Sequence, residues 1–301
     1  MVLPPALLAA TLLAPAQPAA LPRAEIRDGD RVVWLGNTLV EREQRYGYWE
    51  TALYAAHPGK RFILRNLGWS GDTVWGEARA AFDPPAKGFE RMVNLTLELK
   101  PTTVWVAFGA NESFEGAAGL PRFEQGMNKL LDAIRPANAR VVLFTPAPVQ
   151  AFPGMLSAEA RDARMRDLAL YAEAVKKTAA ARGLAVVDLF AALQPSFAQT
   201  TFTENGVHPT GDGFRETATG FLTAVGGTPR TLEWKQLDAL RLAVVGKNEL
   251  FFHRWRPQNE TYLFGFRKHE QGKNAKEVAE FDPLVATAET AVEAARAALQ
   301  K

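Results

Sequence analysis

The sequence predicts an α/β fold, a three-layer α/β/α sandwich on a five-stranded parallel sheet, extended at its C-terminus by a mainly helical segment. Two observations carry this. Short apolar runs alternate with helix-like stretches five times across the first three quarters of the chain, the pattern of parallel strands joined by crossover helices. One run, Thr102–Phe108 (TTVWVAF), is almost wholly apolar, as befits a strand covered on both faces.

In chain order, Val32–Leu35 is the first strand. It breaks at Gly36 into Asn37-Thr38-Leu39, and a helix is expected from Leu39 to about His57, stopped by Pro58-Gly59. Arg61–Asn66 is the second strand, followed by Leu67-Gly68-Trp69-Ser70-Gly71-Asp72-Thr73. A helix around Phe89–Leu99 ends before Pro101. The third strand, Thr102–Phe108, runs into Gly109-Ala110-Asn111-Glu112. After a helix near Leu120–Ile134 comes the fourth strand, Arg140–Thr145. Ser157 suits the N-cap of a long helix to Arg182, with Gly183 as its stop. Ala185–Leu189 is the fifth strand; a loop then leads to Glu204-Asn205-Gly206-Val207-His208-Pro209-Thr210 and a short helix. In a parallel sheet the carboxyl ends of all strands lie on one edge, so these polar turns can converge on one crevice.

The expected domain plan is a leader at 1–22, a main domain at 23–225 and an extension at 226–301. The leader has an apolar core, Ala6 to Leu13, and an A-x-A-like site, Ala14-Pro15-Ala16, but no basic residues before them. It reads as a secretory signal peptide, which implies a secreted or periplasmic protein, or else as a disordered Ala/Pro leader. No other segment is long and apolar enough to span a bilayer. In the extension, Thr231–Val245 looks helical, Lys247–Lys276 is basic and aromatic, and Asp282-Pro283 suits the N-cap and N1 of a terminal helix to about Gln300.

Composition narrows the chemistry. A net charge of +2 argues against nucleic acid as a partner. Cysteine is absent, which removes disulfides, thiol nucleophiles and Cys-ligated zinc. No metal-ligand spacing, P-loop or G-x-G-x-x-G is visible, so no cofactor and no metal are expected. Any histidine base must be His57, His208, His253 or His269. His57 reads as a helix-end residue.

Gly36-Asn37-Thr38-Leu39, Gly71 within Ser70-Gly71-Asp72-Thr73, Gly109-Ala110-Asn111-Glu112 and Asn205-Gly206-Val207-His208 occur in that order. Their order and strand context resemble the four blocks of the SGNH/GDSL hydrolase family across about residues 30–225. The resemblance implies a flavodoxin-like sheet and acyl transfer to water on a small ester or acylated carbohydrate. In that family a first-block serine attacks, a last-block histidine is the base, and an aspartate three residues before it orients the imidazole. Backbone N–H groups of the serine and the second-block glycine, with the third-block asparagine, hold the oxyanion. Carried over, Thr38 occupies the nucleophile position, His208 the base, and Thr38, Gly71 and Asn111 the oxyanion hole.

Two positions depart from the pattern. Thr38 stands where the serine belongs, with Asn37 replacing the preceding aspartate, and Asn205 stands where the orienting aspartate belongs. Threonine keeps a hydroxyl but restricts its rotation. An Asp-to-Asn change in such a triad can cost about 10⁴ in kcat through the wrong tautomer. Glu204, one residue earlier, could supply the carboxylate, as could Asp212, though Asp212 suits the surface better. Asp72 reads as a turn cap. Glu112 should point away from a forming oxyanion, and Ser70 is a lesser candidate hydroxyl. Two function classes stay open: an esterase using Thr38, and a catalytically impaired module that binds a glycan, an acyl ligand or a protein partner.

The extension's Phe251–Arg256 and Tyr262–His269 stretches either line the crevice or simply dock the extension by their aromatics. This segment resembles the tail of secreted GDSL-like proteins of planctomycete-type bacteria.

Overall fold

The computed structural model describes residues 22–199, 201–227 and 231–300. All but the last residue of the expected leader, 1–22, lies outside them. Five parallel strands form one sheet: β1 (Asp30–Gly36), β2 (Phe62–Gly68), β3 (Thr103–Ala107), β4 (Arg140–Phe144) and β5 (Ala185–Val187). Their order is β2-β1-β3-β4-β5. The chain therefore reverses direction across the sheet between β1 and β3, a switch point that opens a crevice at the strands' carboxyl ends.

The helices are α1 (Thr38–Tyr46), α2 (Tyr48–Ala56), α3 (Pro85–Glu98), α4 (Leu120–Ala133), α5 (Ala158–Arg182), α6 (Leu189–Gln199) and α7 (Gly211–Ala224), then α8 (Trp234–Trp255), α9 (Glu260–Leu263), α10 (Lys268–Gln271) and α11 (Phe281–Ala298). Alternation along β1 divides the core. Val32 and Trp34 join Trp49 of α2 and Phe214 and Phe221 of α7 on one face. Val33 and Leu35 join Met92 of α3, Met127 of α4 and Val175 of α5 on the other. Trp34 is fully buried between Trp49, Trp105, Phe144 and Phe221. This is the three-layer sandwich that the sequence predicts.

Several boundaries differ. The single helix expected from Leu39 to His57 is two, because Gly47 at φ +66° ends α1 and starts α2. The segment after β5 holds a helix, α6, with Pro195 inside it, where a loop was expected. The extension's first helix runs on to Trp255 rather than ending near Val245. Asp282 lies inside α11, which continues from a 3-10 turn, so it is not the N-cap. Ser157 does cap α5, its Oγ accepting from Ala160 N at 3.2 Å.

The extension covers the exposed edge of β2, which an uncovered sheet would leave open to pairing. Lys247 Nζ donates to the Leu64 carbonyl at 3.2 Å, and Arg65 pairs with Glu289 of α11. Leu240, Val244 and Val292 enter one face of the core; Phe251, Trp255 and Val285 enter the other.

Candidate active site

Asn37 sets the position of Thr38. Its Oδ1 accepts from Leu39 N at 3.2 Å and caps α1. Asn66 of β2 holds the helix start against the sheet: Nδ2 donates to the Val40 carbonyl at 2.6 Å, while Oδ1 accepts from Gly68 N at 2.8 Å. Thr38 is then the first residue of the helix. Its Oγ1 accepts a hydrogen bond from Gly71 N at 3.0 Å. Gly71 has φ +75°, a backbone conformation that costs a glycine little.

The loop carrying Gly71 is braced from behind. Ser70 N donates to Glu41 Oε2 at 2.5 Å, and Arg256 of the extension donates to the same oxygen at 2.7 Å. The Arg256 guanidinium lies 3.6 Å over the Trp69 ring. Asp72 is fully buried against Arg79, Oδ2 to Nε at 2.6 Å, and accepts from Ala78 N at 3.2 Å. The sequence suggests a turn cap, but the N-cap of the following 3-10 turn is Gly76, and the main partner of Asp72 is the arginine.

Asn111 projects from the loop after β3, and its Nδ2 donates to the Asp72 carbonyl at 2.6 Å. Glu112 turns away into the protein. Its oxygens accept from Val74 N at 2.7 Å and Gly109 N at 2.8 Å, tying the second and third blocks together. Burial pushes its carboxyl up to about 7.

His208 sits half-buried in a tight loop closed by Glu204 N to its own carbonyl at 2.9 Å. Asn205 Oδ1 accepts from both Val207 N, at 3.1 Å, and His208 N, at 2.9 Å. Those two donors fix the amide, so its Nδ2 faces His208 Nδ1, at 3.0 Å. An amide nitrogen only donates. Nδ1 must therefore accept, and the proton of the neutral imidazole sits on Nε2. Burial, then the charge of Arg42, lowers the His208 pKa, with Glu204 opposing.

Glu204 does not serve as the orienting carboxylate. Its carboxylate pairs with Arg42, one turn after Thr38 on α1, and no hydrogen bond joins that carboxylate to His208 among the described residues. Asp212 is an exposed partner of Arg215. His57 ends α2, its Nδ1 on the Leu53 carbonyl at 2.9 Å.

Thr38, Asn111 and His208 line one crevice, together with Arg164, Phe114 and the Pro146–Val149 wall. Among the described residues, none after His208 and no acidic side chain lines it, and neither does Ser70. The extension thus docks behind the site, the second of the two alternatives above. Arg42, Arg164 and Phe114 escaped the sequence reading. Arg42 is legible from its four-residue spacing to Thr38; Arg164, in the middle of a long helix, gave no signal. Among the described residues, no group of three or more His, Cys, Asp or Glu is placed to hold a metal ion. No described helix is long and apolar enough to cross a membrane.

Comparison with known proteins bears on the family and the fold. Residues 29–216 match the model of the GDSL-like Lipase/Acylhydrolase family. An acetylxylan esterase from Geobacillus stearothermophilus superposes at a TM-score of 0.52 and 20% identity, covering 68% of this chain and 98% of that one. An alpha/beta hydrolase enzyme from the metagenome of Lake Arreo, Spain, gives 0.52 at 21% identity, covering 67% and 97%. At such identities the likeness is one of fold. No curated protein matches the chain. The family match spans more than half of the sequence, residues of the first, third and fourth blocks line the crevice, and Gly71 of the second bonds to Thr38: the chain belongs to the GDSL-like lipase/acylhydrolase family.

Proposed function

We propose that the protein is a slow ester hydrolase acting on a small ester or acylated carbohydrate. Thr38 Oγ1 attacks the carbonyl carbon, His208 Nε2 takes the hydroxyl proton and returns it to the leaving alkoxide, and water then releases the acid from the threonyl ester. The N–H groups of Thr38 and Gly71 and the Asn111 amide receive the oxyanion. The carrying observation is that Thr38, Asn111 and His208 line one crevice, with Gly71 N 3.0 Å from the Thr38 hydroxyl oxygen.

Turnover is slow for a reason the site itself supplies. To act as base, Nε2 must lose its proton to Nδ1, which would then face a second donor on Asn205. Turning the amide breaks its bonds to Val207 N and His208 N. At about 1 kcal/mol net for each bond lost, the penalty is about 2–3 kcal/mol.

Binding without turnover is the second reading. It is favoured by the commitment of the Gly71 N–H and one Asn111 N–H to acceptors within the protein. Hydrolysis of p-nitrophenyl acetate and of acetylated xylo-oligosaccharides separates the two. The esterase reading expects activity that Thr38→Ala and His208→Ala each abolish. Turnover that both variants leave intact ends it, and wild-type turnover no faster than Thr38→Ala favours binding. The hydrolytic unit is assigned to residues 23–225, with 226–301 as its fixed support. The apolar leader at 1–22 supports export to a secreted or periplasmic location.

A further inference from the structure

The lock on Asn205 has a chemical consequence for what the crevice prefers to hold. With Oδ1 committed to two backbone N–H groups, Nδ2 meets His208 Nδ1, and the imidazole presents Nε2–H on its opposite edge. No hydrogen bond engages Nε2 among the described residues. The Thr38 hydroxyl is in a similar state: Oγ1 accepts from Gly71 N, so its own proton is free to donate. Asn111 spends one amide proton on the Asp72 carbonyl and retains the other. Thr38, Asn111 and His208 thus bring three unspent donors to one cavity.

Among the described residues no acidic side chain lines the cavity. Arg164 does line it, with Asp167 at 3.7 Å and its N–H groups donating to Ser113 and to the Ala110 carbonyl. The other carboxylates nearby are already held: Glu204 by Arg42, Asp72 by Arg79, and Glu112 by two backbone N–H groups. An ester carbonyl has one oxygen to offer such a site, whereas an ionised carboxylate has two oxygens with about four lone-pair directions. Bonds to the charged group are also the stronger ones. Asn37 and Thr145 apart, the rest of the lining, including Leu39, Phe108, Val149, Leu168 and Leu189, is apolar and suits a short hydrocarbon tail.

We infer that this crevice is a receptor for the carboxylate of a small monocarboxylic acid with an apolar tail, gripped by His208 Nε2–H, Thr38 O–H and Asn111 N–H. The inference rests on the crevice being the ligand site proposed above. It adds that the acid form outcompetes the ester, so hydrolysis is held back by its own product. The aspartate that the family pattern carries at position 205 would place the imidazole proton on Nδ1, turn Nε2 into an acceptor and add a negative charge. Asn205 therefore trades a base for a donor.

The test uses the full chain, calorimetric titration with butanoate and hexanoate, and their methyl esters as neutral matches. Both acids are ionised at about pH 7. The expected result is binding of each carboxylate at least about tenfold tighter than its ester, the scale on which a site discriminates through unpaired polar groups. Asn205→Asp should lose at least that factor for the carboxylate and little for the ester. Nitrogen-15 NMR of the wild-type imidazole supplies a readout that needs no variant to fold: His208 should carry its proton on Nε2. Equal affinity for acid and ester, or a proton on Nδ1 in the wild type, overturns the inference. So does carboxylate binding that Asn111→Ala and Thr38→Ala leave unchanged, since it would lie outside the crevice. Ester hydrolysis without carboxylate preference sinks this inference alone. Failure of both ligands to bind sinks it together with the ligand site itself.

Discussion

Asn205 and an aspartate differ by one group on a side chain of nearly the same shape, and at this position that group decides which imidazole nitrogen bears a proton. The two backbone donors on Oδ1 leave the amide no other way to face His208. Asn205→Asp keeps both backbone bonds and offers Nδ1–H an acceptor, so kcat for p-nitrophenyl acetate should rise by at least about tenfold, part of the roughly 10⁴ that the reverse change costs in a serine triad. An unchanged kcat would place the limit at the Thr38 methyl instead. The pH profile carries a second sign. Burial and Arg42 lower the His208 pKa, so the base form persists below the ordinary value of 6.5 and the acid limb of kcat/KM should fall below it. Arg42→Gln should move that limb upward. Thr38, Asn205, His208, Gly71 and Asn111 were all visible in the sequence, because short blocks at strand ends carry residue types with few alternative uses. The partner of Glu204 was not visible. Arg42 lies 162 positions away and meets Glu204 only once α1 and the His208 loop have folded together.

Elements were legible where one local signal dominated. The central strand β3 stands out because burial on both faces makes it an apolar run, and α5 because Ser157 and Gly183 mark its ends. Gly47 was misread because a glycine inside an apolar-periodic stretch is weak evidence, costing a helix only about 1 kcal/mol relative to alanine. What makes it a break is tertiary. At φ +66° it turns the chain between α1 and α2, and a Cβ there would lie 3.0 Å from Val245 Cγ2. Gly47→Ala should therefore destabilise the fold by about 1–2 kcal/mol, from the left-handed backbone plus the contact. A shift of the urea midpoint to lower concentration with unchanged slope would show it; no shift would mean that α8 yields easily. The helix α6 was missed for the opposite reason. Pro195 is a strong local stop, and packing of Leu189, Leu193 and Phe197 into the core overrides it.

At the scale of the molecule, the extension is joined to the α/β unit through a buried charge network, and that network is where its contribution can be measured. Glu50 of α2 is fully buried and holds Lys247 Nζ at 2.5 Å and Asn248 Nδ2 at 2.9 Å, both from α8. Glu43 lies beside it, equally buried, with Oε1 on the Trp49 and Glu50 N–H groups and Oε2 without a partner. Burial and the charge of Glu50 push the Glu43 carboxyl up to about 7. Because its folded value exceeds the ordinary 4.5, Glu43 favours the folded state fully below that value, and this contribution is lost as pH rises to about 7. Lys247 is the cation that most draws the value down, so the two carboxylates depend on α8 for their compensation. Lys247→Met keeps the apolar stem and removes the charge. It should cost about 3–5 kcal/mol at neutral pH, the usual penalty for stranding a buried partner. The loss should shrink toward about pH 5, where the Glu43 carboxyl is protonated. Adding Glu50→Gln should recover most of the stability, because the second change removes the charge that the first left unpaired. Urea unfolding of the wild type, the single variant and the double variant across that pH range decides it. A Lys247→Met cost that does not vary with pH, or that Glu50→Gln fails to relieve, would mean that α8 is held by its apolar face alone, through Leu240, Val244 and Phe251.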